Sequence, residues 1–253
     1  MELQVVRLGC MNYIEVLRIQ EALQHHVMTY GGLDTLLLLE HPPVITKGVR
    51  GEDENILLTK EQLAALGVEI IETKRGGDVT YLGPGQVIGY PIMNLKRHGK
   101  DIQDFVSKIE QIIVQIMKED FHVDTIVGSK KYTGVFVDND KIAAIGIAVS
   151  RWVTMHGFAF NVNTNLSHFN WIIPCGLKDR GVTSVEKIIG KPYDMIKLQN
   201  RIIEKFETSF QVKAIEMTKE DLIHSMTKAI RAQSLNMMGE GATHQVCTQV
   251  GVL

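Results

Sequence analysis

Pro174-Cys175-Gly176 is where this chain could form a covalent bond to a substrate. A thiol held in a loop between a proline and a glycine is reachable, and a thiolate is a strong nucleophile. An ordinary thiol, with a pKa of ~8.5, is only slightly ionised at neutral pH, so it needs a cation or a base beside it. Lys141 and His156 are the candidates. Each residue also has a plainer reading. A free cysteine is most often a small buried hydrophobe, and Lys141, following the polar turn Asp138-Asn139-Asp140, reads as a solvated hairpin lysine. His156 and His41 read as hydrogen-bonded structural histidines. Cys10 and Cys247, near the two ends, have no comparable setting.

A second group of residues could build a binding surface. Arg75-Gly76-Gly77-Asp78-Val79-Thr80-Tyr81-Leu82-Gly83-Pro84-Gly85-Gln86 places two glycine-rich turns around a short β-branched and aromatic run. Such turns can expose backbone N–H donors. Small residues recur in Ala144-Ile145-Gly146 and Gly157-Phe158-Ala159, where they would either floor an apolar cleft or allow strands to pack closely. No metal-ligand cluster and no phosphate loop is present, because the proline in Gly-Pro-Gly removes a donor.

The elements that must position these residues are legible in order. Gln4 to Leu8 reads as a strand and Asn12 to Tyr30 as a helix stopped by Gly31-Gly32. The continuous apolar run Thr35 to Leu39 predicts a strand buried on both faces, with Val44 to Thr46 after it. Thr59 with Gln62 is a capping box for a short helix to Leu66. Strands follow at Val68 to Ile71, within the glycine stretch, and at Gln86 to Met93. Asp101 opens a strongly amphipathic helix through Ile109, Ile113 and Ile116. A hairpin over Gly134 to Val149, a strand at Thr154 to Val162, an irregular stretch from His168 to Cys175 and a capping pattern at Thr183 and Glu186 come next. Helices over Asp194 to Phe210 and Thr218 to Arg231 complete the pattern. The expectation is one α/β (α+β) domain with a mixed β-sheet flanked by helices over 1–231, and a loosely held tail over 232–253.

Bulk properties narrow the class. The 253 residues suffice for a sizeable core, and a net charge of −2 gives no global attraction to nucleic acid or an anionic membrane. Three dispersed cysteines make no disulfide framework. The start lacks a signal-peptide core and no apolar run would cross a bilayer, so a cytoplasmic protein is expected.

Five blocks, Glu40-His41-Pro42-Pro43, Arg75 to Gln86, Lys141-Ile142-Ala143-Ala144-Ile145-Gly146, His156 to Val162 and Pro174-Cys175-Gly176, together resemble the lipoyl(octanoyl) transferases. The resemblance covers about 36–185. It implies the fold of biotin and lipoate protein ligases, and transfer of an octanoyl (or lipoyl) group from acyl carrier protein to a lysine of a lipoyl domain, the first step of protein lipoylation. It implies that Cys175 accepts the acyl group and that Lys141 lowers its pKa. Substrate binding falls to Arg75, Gly76, Gly77, Asp78, Val79, Thr80, Tyr81, Leu82, Ala144, Ile145, Gly146, Gly157, Phe158 and Ala159, with His156 and His41 as candidates to assist. No cofactor is implied beyond the carrier's phosphopantetheine, and no ATP. The implied partners are octanoyl-acyl carrier protein, lipoyl domains of 2-oxoacid dehydrogenases and the glycine cleavage H protein, met by a monomer. Both protein partners are typically acidic, so docking is expected at a basic patch of Lys96, Arg97 and Lys100, with Lys130 and Lys131 as further candidates. There is one departure: similar sequences read Tyr-His-Gly-Pro-Gly, and here Leu82 replaces the imidazole with a side chain that carries no proton. The rival readings are an ATP-dependent lipoate ligase, a lipoyl amidotransferase, and a non-catalytic acyl-carrier-binding module.

Overall fold

Leu36, Leu37, Leu38 and Leu39 are all fully buried, and they alternate between two cores: Leu36 and Leu38 face one, Leu37 and Leu39 the other. That alternation places their strand, β2 (Asp34–Glu40), in the middle of the molecule with apolar layers on both sides. The structure is a computed structural model and describes residues 1–129, 132–173 and 181–238, with the backbone only over 229–238.

Around β2 an eight-stranded sheet forms. It also contains β1 (Glu2–Cys10), β6 (Gln86–Ile92), β7 (Ile126–Val127), β8 (Gly134–Val137), β9 (Asp140–Ser150), β10 (Val153–Asn161) and β11 (Lys213–Met217), in the order β11-β1-β2-β6-β10-β9-β8-β7. β1 runs parallel to β2 and β11, and the remaining pairs are antiparallel, giving the expected mixed sheet. One face packs on α3 (Ile102–Phe121) and α5 (Met195–Phe210), which supply Phe105, Ile109, Ile113, Ile202 and Phe206. Asp101 and Asp194 cap these helices, each accepting two backbone N–H bonds in the first turn.

The other face packs on α1 (Tyr13–Tyr30) and α6 (Lys219–Met238). Beside them stands a second sheet of β3 (Val44–Lys47), β4 (Glu69–Glu72) and β5 (Val79–Leu82), in the order β4-β3-β5. The helix between β3 and β4, α2 (Lys60–Ala65), starts at the expected capping box: Gln62 N–H donates to Thr59 Oγ1, and Thr59 N–H to Gln62 Oε1.

Three expectations are corrected, and two strands stand where none was expected. Leu166–Trp171 is a 3-10 helix capped by Asn165, not an irregular stretch. Ser184 caps the short α4 (Val185–Ile189), one residue later than expected, because Thr183 is engaged in backbone pairing with Lys141. α6 continues to Met238, so part of the expected tail is helical, and residues 239–253 lie outside the described residues. β7 and β11 are edge strands whose sequences lack apolar alternation, since only one side of each is paired.

Candidate active site

The face of the main sheet under α1 and the small sheet is not filled by side chains throughout. On β9 and β10, Ala144 stands opposite Ala159, and Gly146 opposite Gly157. Four small residues on one face leave an apolar cavity, walled by Leu82, Ile88, Tyr13 and Tyr90 and bordered by the Arg75-Gly76-Gly77 loop. The missing Cβ atoms also permit close packing: a Cβ on Gly157 would come within 2.0 Å of Gly89 O, and one on Gly146 within 2.6 Å of Gly76 O. Cleft floor and tight packing are therefore both true of the same glycines.

Lys141 lies at one end of the cavity and is 5% exposed, contrary to the solvated-hairpin reading. The cause is tertiary. The β8–β9 register shifts between Val135 and Phe136, and this bulge turns Lys141 inward. Its Nζ lies 3.4 Å from Thr133 O and 5.2 Å over the Phe136 ring. Its backbone is strapped to the chain that follows the Cys175 segment: Lys141 N–H donates to Gly181 O, and Thr183 N–H to Lys141 O. Cys175 itself, with Lys130, Lys131 and Cys247, lies outside the described residues.

The sequence blocks hold one another. Gly85 N–H donates to Glu40 Oε2 at 2.7 Å. Gln86 Nε2 donates to Asn161 Oδ1 at 2.9 Å, and Asn161 Nδ2 donates to Thr183 O at 3.0 Å, the residue that straps Lys141. Arg75 is 8% exposed and braces its own loop, donating from Nε to Thr46 Oγ1 and from Nη2 to the carbonyls of Thr46 and Asp78. Strand alternation sends Thr80 and Leu82 to the cavity, and Val79 and Tyr81 to a separate core with Phe169 and Ile172. Asp78 binds the N–H of Val79 and Asn55 Nδ2. Ile145 and Phe158 border the cavity but bury their side chains in the core under α3 and α5.

The donors expected from the glycine turns are mostly committed. Gly76 N–H bonds Ile147 O, Gly83 N–H bonds Gln86 Oε1, and Gly85 N–H bonds Glu40. Closed turns of this kind shape the wall and do not offer it as an anion cradle.

The two histidines differ. His41 is fully buried, with Nδ1 donating to Met11 O at 2.7 Å and Nε2 accepting from Tyr90 O–H at 2.9 Å. Its role in the wall is to orient Tyr90. His156 lines the cavity with neither ring nitrogen bonded among the described residues. Burial pushes both imidazoles down to about 4, and the positive charge of Arg75 adds to the effect at His156, so both are neutral at pH 7. Leu82, 6% exposed, is an apolar wall residue packed in the core with Ile88 and Ala159. His168, which sequence reading left aside, accepts from or donates to Tyr81 OH at 2.7 Å and stacks on Trp171, on the far side of β5 from the cavity.

The expected docking patch stands elsewhere. Arg97 is tied to Asp34 and to the carbonyls of Gly31 and Gly32, and Lys100 Nζ lies over the Trp152 ring. Both are at the Val153 end of β10, whereas Lys141 is beyond its Asn161 end, roughly 25 Å away along the strand. Among the described residues no helix is long and apolar enough to cross a membrane, and no group of His, Cys, Asp and Glu is arranged to hold a metal.

Comparison with known proteins identifies the family. Residues 12–207 match the family described as the lipoyl protein ligase A/B catalytic domain. An octanoyltransferase of Caldicellulosiruptor saccharolyticus is 51% identical over 88% of this chain and 94% of its own length, and one of Alkaliphilus metalliredigens is 44% identical over 85% and 99%. Among solved structures, lipoate-protein ligase A bound with ATP superposes with a TM-score of 0.73 at 16% identity, covering 90% of this chain and 93% of that one. This last likeness is one of fold. The chain belongs to the octanoyltransferases, within the lipoyl protein ligase A/B catalytic family.

Proposed function

We propose that this enzyme moves an octanoyl group from the phosphopantetheine thiol of acyl carrier protein to a lysine of a lipoyl domain, through a thioester on Cys175, as a step of protein lipoylation. The observation that carries the reading is a buried lysine at the end of an apolar cavity, strapped through Gly181 and Thr183 to the chain that follows Cys175. Octanoyltransferase relatives at 44–51% identity support the acyl group.

The chemistry balances with one amine. An ammonium at Lys141 favours a Cys175 thiolate. The thiolate attacks the carrier thioester, the carrier sulfur leaves, and Lys141 gives that sulfur its proton. Neutral Lys141 then takes the proton from the substrate lysine as its amine attacks the enzyme thioester, and the expelled sulfur returns as thiolate beside the regenerated ammonium. Each half-reaction leaves Lys141 ready for the other. No proton passes through Leu82. The apolar wall holds the alkyl chain at about 0.8 kcal/mol per buried methylene.

Intact mass spectrometry with peptide mapping tests this. Mixed with octanoyl-acyl carrier protein and no ATP, the protein should carry an octanoyl adduct on Cys175 that disappears when a lipoyl domain is added. A folded protein that acquires no adduct, or a Cys175→Ala variant that still transfers from free octanoate and ATP, would reject the reading.

A further inference from the structure

The far end of the acyl cavity is polar. β6 carries Pro91, and the β10–β6 register of Phe158 with Gly89 places His156 opposite it. Pro91 has no N–H to give, and its carbonyl accepts from Thr154 Oγ1 at 2.6 Å. The ladder is interrupted there: His156 takes φ +62°, a left-handed conformation costly for a residue with a side chain, and its N–H donates to Gln20 Oε1 on α1 at 2.9 Å. His156 is 1% exposed and Gln20 0%. Among the described residues, His156 Nδ1, His156 Nε2 and Gln20 Nε2 have no hydrogen-bond partner. The two imidazole nitrogens belong to a residue that lines the cavity, and buried nitrogens without partners ask for a polar group.

Their position relative to the chemistry gives this meaning. Ala159 marks the Lys141 end of the cavity floor and His156 stands three residues away on the same strand, about 10 Å at the rise of a β-strand. An acyl chain attached near Lys141 and lying along Ala144, Gly146, Gly157 and Ala159 therefore ends towards the imidazole.

We propose that His156, its backbone held by Gln20, forms a polar stop that sets the length and terminus of the acyl chain this enzyme accepts. An alkyl chain that ends short of the imidazole leaves those nitrogens free to bind a small polar group. A longer alkyl chain presses methyl hydrogens onto them, and the loss outweighs the about fourfold gain that one more methylene otherwise gives. A chain of the same length ending in hydroxyl meets a donor and an acceptor. The inference rests on acyl transfer as the function of the site and specifies its substrate.

The test uses the full chain, a lipoyl domain and carrier-protein thioesters of octanoyl, nonanoyl and decanoyl groups, with 8-hydroxyoctanoyl and 9-hydroxynonanoyl as isosteres of the last two. The wild type should lose at least tenfold in kcat/KM from octanoyl to decanoyl, and one hydroxyl isostere should exceed its alkyl partner at least fivefold. His156→Gly, which accepts φ +62° without strain, should raise decanoyl relative to octanoyl at least tenfold and abolish the hydroxyl preference. His156→Asn, which tolerates the left-handed backbone and stays polar, should relieve the length limit and keep that preference, and it serves if the glycine variant does not fold. Rates that rise or stay level with chain length in the wild type, or hydroxyl chains slower than alkyl chains in both pairs, overturn the proposal. Failure to transfer octanoate at all removes the functional reading and this one with it, whereas octanoyl transfer without discrimination removes this one alone.

Discussion

At the residue scale the site depends on how burial treats three side chains. Lys141 is the amine that the proposed mechanism uses in both half-reactions, so Lys141→Met should lower single-turnover octanoyl transfer by about 10²- to 10⁴-fold with the circular dichroism unchanged. A loss smaller than tenfold would remove it from the chemistry. His41 and His156 are held neutral by burial at a pKa of about 4, against 6.5 when exposed. The unfolded chain therefore takes up protons first as pH falls. Stability is fully present above pH 6.5 and is lost between pH 6.5 and 4, by roughly 3 kcal/mol for each histidine. Urea midpoints at pH 7 and 5 read the loss. Proton NMR should find two imidazoles that do not titrate above pH 5, and a normal titration of His156 would contradict its environment.

At the element scale, hydrogen bonds from side chain to backbone tie the strands that carry the site. Asn161 on β10 links Gln86 on β6 to Thr183, and Thr183 holds the backbone of Lys141 on β9. Asn161→Ala leaves Gln86 Nε2 with only its 3.4 Å bond to Tyr81 O and removes the Asn161 donor to the Thr183 carbonyl, at a cost of about 1–3 kcal/mol. The variant should unfold at lower urea and lose transfer activity through misplacement of Lys141; equal stability to the wild type would show that the link is replaceable. The small sheet acts as the opposite wall. Its alternation explains why Thr80 and Leu82 meet the cavity while Val79 and Tyr81, two residues of the same block, do not.

At the scale of the whole molecule, the sheet has two functional ends. Lys141 stands at one, and the Asp34–Arg97–His98 cluster locks the other, with His98 Nε2 2.6 Å from Asp34 Oδ2. Lys96 stands at the Val153 end of β10, roughly 25 Å along the strand from Lys141, so on the proposed mechanism it is expected to lie outside the surface that docks the acyl donor. Lys96→Glu should thus leave the transfer rate and its salt dependence within about twofold of wild type, a comparison made by initial rates across a salt series. Arg97→Glu should instead destabilise the fold, because it puts a carboxylate against Asp34, which is 2% exposed. A salt-sensitive loss of rate in a stable Lys96→Glu protein would restore the docking patch.

Elements whose stability is local were readable in the sequence. The four leucines of β2, the capping box of α2, the stripe and Asp101 cap of α3 and the β8–β9 hairpin each depend on side chains a few residues apart, so spacing specifies them. The edge strands β7 and β11 do not, since half their surroundings are water. The site was readable only as types of residue: a lysine after a turn, glycines beside strands, a histidine before a glycine. Spacing did not show that Lys141 is buried: the bulge in the β8–β9 hairpin turns it over Phe136 and towards Thr133 O, and Gly181 and Thr183, about forty residues later, strap its backbone. Tertiary pairing decided that Arg97 is structural, through Asp34 more than sixty residues earlier. It also decided that His156 is turned into the cavity, since Pro91 on a neighbouring strand breaks the ladder opposite it. A residue's type states which chemistry it can do, and the low dielectric and unpaired partners that make it do so are supplied by residues far away in the chain.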